Sequence, residues 1–435
     1  MAQMRIPGSR RARLALGVVV ALIVAGVAVA AVLVLHKPDN VSHPSVEFTA
    51  PTTTNAQAPP PRRKRVAVNR FLWANYGFDA ARTRFFDPGH RIGPPFRVGW
   101  RFQDYALLEF PPVISGNTLY LDDDNAAAKA LDLRNGHKLW EHKLGTLAAG
   151  SPAIAQRRGL LFVPLLSIHG HSPGGGAMFA LSMKTGRIVW SHGIGVGTES
   201  SPLVHGNNVY FGDQAGTVYS LRIGDGHVNW TYHASAAVKG GPAFSDGNIY
   251  FGDYAGRAYA LNAASGHQVW AVSTSGTQFG FGSGNFYSTP AVAFGRVYMG
   301  NTDSRVYSFA AHTGALAWAT GTGAYVYASP AVADVAGLGP TVFLGSYDGN
   351  FYAFDARSGA VRWRHPAGGR ISGSATIVGN VVYYSDLGAR STAGLDVRTG
   401  HQVFSFPDGA FNPVIADEKA IYLNGYSKLY QMLPK

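Results

Sequence analysis

Eight large aromatic residues recur along the chain at nearly constant intervals, and this period constrains the fold more than any other feature. Trp100, Trp140, Trp190, Trp230, Trp270, Trp318, Trp363 and Phe404 are separated by 40, 50, 40, 40, 48, 45 and 41 residues. Three intervals of 40 define the unit. Residues 201–230 and 241–270 agree column by column, residues 289–318 follow them, and the units ending at Trp140, Trp190, Trp363 and Phe404 fit with small insertions. Within a unit, a Ser-Pro-Ala-Val start places Pro where a strand needs no ladder donor. An alternating Val-Tyr-Phe-Gly strand, a Gly/Asp/Asn hairpin and a Tyr-x-Leu strand come next, and a turn such as Thr185-Gly186, Asp225-Gly226 or Ser265-Gly266 leads into a last strand ending in Trp.

A four-stranded sheet of about 40 residues cannot bury both faces alone, so copies must stack on one another, and a closed ring hides most of their edges. Seven units are complete. Residues 412–433 supply three more strands without a fourth, and Phe96–Phe102 near the start is a lone fourth strand with its own Trp. The expected fold is therefore all-β: an eight-bladed propeller over residues 70–435, with the two chain ends sharing the closing blade. Each periodic aromatic is expected to dock between neighbouring blades.

The repeat block resembles that of the pyrroloquinoline-quinone (PQQ)-like, or tryptophan-docking, propeller family, and Trp73–Asp79 with Arg82-Thr83-Arg84 resembles the opening segment of the same proteins. Two branches of the family do different things, and a repeat alone does not choose between them. Resemblance to the quinoprotein dehydrogenases implies PQQ, a calcium ion held by Glu, Asn and Asp near the axis, an aspartate base and often a disulfide. This chain has no Cys and no residue set matching that motif. Similarity to the propeller component of the outer-membrane β-barrel assembly machinery implies instead a rigid, non-enzymatic disk whose loops bind an envelope protein.

Charge and hydropathy describe the N-terminus. Residues 14–35 are 22 consecutive uncharged residues, long enough as a helix to span a bilayer. Arg5, Arg10, Arg11 and Arg13 precede the segment and only Lys37 follows closely, so residues 1–13 are expected in the cytoplasm and the rest outside. A cleaved signal peptide is the alternative, with Ala28-Val29-Ala30 as its site. Residues 36–69, rich in Pro and Thr, are expected to be a disordered linker. The formal net charge of +12 sits mostly in residues 1–65, not on the folded part, which argues against nucleic-acid binding.

No catalytic residue is assigned, because nucleophile, zinc-protease and phosphate-loop motifs are all missing. His169 and His171 lie in an insertion and could share a metal, but no third ligand is visible in that loop, so no metal is expected. Asp122-Asp123-Asp124 falls on the hairpin column of Asp213, Asp253 and Asp386, which points to turn chemistry and not to calcium. The connection after Trp270 is enlarged with Gly and aromatics, including Gln278, Phe279, Phe281, Asn285, Phe286 and Tyr287. In a four-stranded blade it should emerge on the same face as the His169 loop. These residues are the candidate contacts for a protein partner, or alternatively a glycan; the rings could instead plug the central channel.

Overall fold

Thirty-two strands in eight sheets make up the ring in a computed structural model of the chain, which describes residues 18–19, 40–51, 69–169, 175–274 and 284–435. Blade 3 shows the plan: Leu203–His205, Asn208–Gly212, Thr217–Arg222 and Val228–His233 pair antiparallel in chain order. The first strand lies at the axis and the fourth at the rim. Blades 1 to 7 begin at Val113, Ala153, Leu203, Ala243, Ala291, Ala331 and Thr376. Blade 8 is a composite of Val414–Ala416, Ile421–Asn424 and Lys428–Pro434 with Phe96–Gln103 from the N-terminal side.

Each Trp ends its blade by reaching into the next one. The indole N–H of Trp230 donates to the Ala263 carbonyl at 3.1 Å, that of Trp318 to Ala356 at 3.0 Å and that of Trp100 to Leu133 at 3.0 Å; Trp140, Trp190, Trp270 and Trp363 do the same to Met183, Ile223, Ala311 and Val397. The accepting carbonyl opens the turn between the third and fourth strands of the next blade. That turn carries a glycine with positive φ, +74° at Gly266 and +74° at Gly359. A Cβ there would sit 2.6 Å from the indole, so glycine serves both the left-handed backbone and the ring lying flat against it.

Phe404 breaks the series for a topological reason. It faces blade 8, whose third strand ends the chain and whose fourth comes from the other end, so no turn joins them and no turn carbonyl is offered. A phenyl ring needs no acceptor, and Phe404 packs edge-to-face on Phe96 at 5.4 Å.

The inner edges are paired by the segment that enters the ring. Leu72–Trp73 pairs antiparallel with the first strand of blade 1 and Phe85–Phe86 parallel with that of blade 7. Between them, Ala74, Ala80, Ala81, Thr83 and Arg84 accept backbone N–H bonds at 2.7–2.8 Å from Ile154, Phe244, Val292, Val332 and Ile377, and the Asn75 side chain accepts from Val204 at 2.9 Å. Residues 72–86 thus circle the axis under seven blades. Arg82 and Arg84 are 0% and 1% exposed and point their guanidiniums at carbonyls, Arg82 at Pro242, Ser201 and Pro202, Arg84 at Pro330. Burial, and then Arg84, lowers the Arg82 guanidinium to about 9, still charged at neutrality.

The expected linker differs from the structure over Val41–Pro51. Val41–Ser42 adds a strand to the rim of blade 5, opposite Trp318-Ala319. The buried Arg296 guanidinium donates to the carbonyls of Val46, Glu47 and Arg357, and the Phe48 ring lies 5.3 Å from Arg296 and 5.6 Å from Arg357. A buried cation surrounded by carbonyls, with an aromatic over it, holds the segment in place. The proposed span 14–35 lies outside the described residues apart from positions 18 and 19; among the described residues no helix is long and apolar enough to cross a membrane.

Trp318→Ala should lower the unfolding free energy by about 3–5 kcal/mol, the range for emptying a buried aromatic site. Phe404→Trp should also destabilise, by about 1–3 kcal/mol, because its indole N–H would enter a seam that offers no turn carbonyl. Denaturant titration of the two variants and the parent chain checks both; a Phe404→Trp chain as stable as the parent would contradict the account of the closing seam.

Candidate functional site

The connections between blades run inward across one face of the disk. Each is held by the hairpin between the second and third strands of the blade it enters: Gln214 donates its N–H to Gly197, Tyr254 to Ala237, Thr302 to Asn285 and Tyr347 to Tyr325. At the axis the connections meet in a belt of side-chain acceptors. Ser151 N–H donates to Ser201 Oγ at 3.0 Å, Gly241 to Thr289 Oγ1 at 3.1 Å, Thr289 to Ser329 Oγ at 2.9 Å and Ser329 to Ser374 Oγ at 3.2 Å; Asn412 Nδ2 then donates to the Glu109 carbonyl at 2.9 Å. Small hydroxyl residues suit this place because the blades converge there and leave no room for more.

Two residues before that belt in each unit stand the side chains that form the mouth of the central channel, among them Glu109, Glu199, Lys239, Tyr287, Tyr327 and Ser372. They line an axial cavity of about 50 Å³, with Phe110 and Phe411 on its wall and Tyr76 from the entering segment. The Tyr76 hydroxyl bonds Ser374 and donates to Asn412 Oδ1 at 3.1 Å. Rings continue across blades 4 to 6: Tyr254 and Tyr287 at 6.3 Å, Tyr287 and Tyr327 at 5.7 Å, Tyr327 and Tyr347 at 4.9 Å.

Charge around the mouth is uneven. Glu199 is satisfied by Lys239 Nζ at 2.9 Å, by Gln214 Nε2 at 2.5 Å and by the Tyr287 hydroxyl at 3.4 Å, while Lys239 also lies 4.8 Å over the Tyr254 ring. The Glu109 carboxylate has no partner among the described residues, and burial, then Asp124, then Glu199 raise it to about 7. Asp124, on the blade 1 hairpin, is raised to about 6 by burial and Asp123.

The sequence-derived candidates separate. His169 is exposed at the end of the long second strand of blade 2, on the connection face; His171, Gln278, Phe279 and Phe281 lie outside the described residues. Asn285 is half-buried, with its backbone tied to Thr302, and Tyr287 stands at the mouth. Phe286 is not a surface contact. It is 0% exposed, packs on Tyr307 and Phe309 and occupies the column of Val238 and Val326, whose side chains cover Gly212 and Gly300 as Phe286 covers Gly252. Glu109, Glu199, Lys239 and Tyr327 escaped the sequence reading, although each stands two residues before the Ser/Gly/Thr-Pro or Pro-Pro column.

The aspartate run divides by role. Asp123 Oδ1 accepts the Ala127 N–H at 2.9 Å, as Asp213 accepts Thr217 and Asp253 accepts Arg257, which is the turn chemistry of the column. Asp122 instead stands where blades 3 to 6 have Gly212, Gly252, Gly300 and Gly345. It is 4% exposed and neither carboxyl oxygen has a partner among the described residues. Burial, then Asp123, holds it well above the usual carboxylate range, which favours the protonated form. In blade 8 the same column holds Asn424, whose amide donates to the Leu108 carbonyl at 2.8 Å.

The family model of the outer membrane protein assembly factor BamB matches residues 97–238 and 230–432. The chain belongs to this family. BamB from Moraxella catarrhalis is similar in structure, with a TM-score of 0.62 at 16% identity over 79% of this chain and 98% of that one. A europium-containing methanol dehydrogenase gives 0.67 at 14% identity over 83% and 98%. The computationally designed Ika8 protein gives 0.65 at 15% identity over 78% and 100%. At these identities the neighbours share the fold. No curated protein matches the sequence.

The dehydrogenase branch implies PQQ with calcium, and the axial site of this BamB-family propeller does not fit them. A cavity of about 50 Å³ falls far below the roughly 300–1,000 Å³ of small-molecule sites. Among the described residues no three His, Asp or Glu side chains are placed to share a metal, and Glu199 is taken up by Lys239, Gln214 and Tyr287.

Asp122 generates a stability prediction. The folded state keeps a proton that the unfolded chain loses above about pH 4, so the contribution of Asp122 is full below that pH and declines as pH rises toward the folded value. Asp122→Asn should remove this slope and be the more stable form at pH 7, its amide supplying a donor as Asn424 does. Thermal unfolding from pH 4 to 8 reads it; an unchanged slope would mean that Asp122 is ionised in the fold.

Proposed function

We propose that this chain is a membrane-anchored, extracytoplasmic scaffold that binds a protein partner at the cell envelope and performs no catalysis. The observation that carries the reading is the family match over both arcs of the ring, residues 97–238 and 230–432. The connection face supports it, because the hairpin ties at Gly197, Ala237, Asn285 and Tyr325 and the hydroxyl belt offer fixed side chains to a partner. The uncharged run 14–35 with its four preceding arginines supports the anchor and its orientation.

The partner face is tested by a photo-crosslinking residue at Tyr325, exposed on the connection face, against one at Leu338, in the turn of blade 6 on the opposite face. In native membranes a discrete protein adduct should form from position 325 and none from 338. Absence of any protein adduct from both positions would count against a scaffold. The anchor predicts that the full chain stays in carbonate-washed membranes and that a chain starting at residue 38 is released; release of the full chain would contradict it.

A further inference from the structure

Five aromatic side chains, Tyr76, Phe110, Tyr287, Tyr327 and Phe411, line the cavity at the propeller axis together with Glu109, whose carboxylate is without a partner among the described residues. Aromatic side chains beside a carboxylate are the residue set that binds an organic cation. The one cation already among the cavity-lining residues, Lys239, is committed to Glu199 and to the Tyr254 ring. Asp124 on the blade 1 hairpin and Glu199 on the connection into blade 3 both oppose the ionisation of Glu109. Arg82 and Arg84 pack against Tyr76, with their guanidiniums 5.9 and 4.5 Å from its ring, but neither lines the cavity.

We infer that the axial mouth is a receptor for an alkylammonium group, the ε-ammonium of a lysine presented by the partner protein. The inference rests on the scaffold reading for its partner, and on the cavity alone for its chemistry. The volume of about 50 Å³ sets the size: a few water molecules' worth, enough for an ammonium and its nearest methylenes and too little for a sugar ring or a fused heterocycle. The aromatic wall takes the methylenes and the carboxylate takes the charge. An ammonium held there restores the counter-charge that Glu109 lacks, so binding should draw a proton off Glu109 near neutrality and weaken as pH falls below about 7.

The test needs no knowledge of the partner. The full chain in non-ionic detergent is titrated by calorimetry with the capped tripeptide acetyl-Gly-Lys-Gly-amide, with its norleucine counterpart and with tetramethylammonium, each in two buffers of different ionisation enthalpy at pH 7. The lysine peptide should bind in the millimolar range with proton release, and the norleucine peptide should not bind below about 10 mM. Glu109→Gln should weaken the lysine peptide by about tenfold and abolish the proton release, while Glu418→Gln, on an exposed turn, changes neither. Tyr327→Leu should weaken it by about threefold. Equal binding of lysine and norleucine peptides, undiminished binding by a folded Glu109→Gln chain, or no binding of the lysine peptide would overturn the proposal. Binding of tetramethylammonium alone would overturn the lysine source. A failed titration beside a successful crosslink at position 325 would leave the scaffold standing and remove only the axial receptor.

Discussion

An indole N–H that leaves its own blade to find a carbonyl in the next one is the interaction on which the ring depends. Because the acceptor belongs to the neighbour, no blade is complete by itself. Seven seams share one geometry: the indole against a positive-φ glycine, its N–H on the carbonyl three residues before it. A wide flat ring adds apolar burial at the edge of a seam already filled by strand side chains, and its single hydrogen bond fixes where the ring sits. The eighth seam shows why both parts are needed. Where the chain ends leave no turn, the acceptor disappears, and the residue at that column is a phenylalanine that asks for none.

Closure then turns on edges. A ring of sheets exposes an inner edge strand in every blade, and unpaired backbone there would be both desolvated and unsatisfied. The entering segment answers this once for seven blades, with five of its carbonyls and one asparagine spaced around the axis between two short paired stretches. On the opposite face the hydroxyl belt ties blade to blade at the narrowest point. The axis is therefore fixed from both sides, and the side chains just outside the belt are free to differ from blade to blade without loosening it. Two carboxylates, a lysine and two tyrosines stand there in positions that are equivalent by the repeat.

Much of this is legible in the sequence because the period is. The tryptophan column gives the blade count, and a lone fourth strand at one end with three strands at the other gives the closure. The limits have physical causes. Phe286 reads as a loop aromatic by composition, yet its column is that of Val238 and Val326, so alignment outranks local composition wherever a repeat exists. Val46 and Phe48 sit among Pro and Thr with no apolar period, and what orders them is Arg296, some 250 positions away. The axial mouth collects one residue from each of several units, 40 to 50 positions apart and of different types, so no local motif marks it.

The N-terminal hundred residues do more of the fastening than their length suggests. They provide the fourth strand of blade 8, the floor of the axis and the strap on blade 5, and Asn69 bonds Gly116 and Asn117 in blade 1. Any pull on the chain before residue 41 meets the strap first, where a strand pairing, the Arg296 carbonyl cluster and the Glu47–His312 pair must all separate before tension passes on to blade 1. The closing strand lies further along the chain, behind Asn69 and the whole floor segment. A load from the N-terminus is thus taken up by a rim strand of one complete blade, and the one blade held together without a covalent turn is shielded from it.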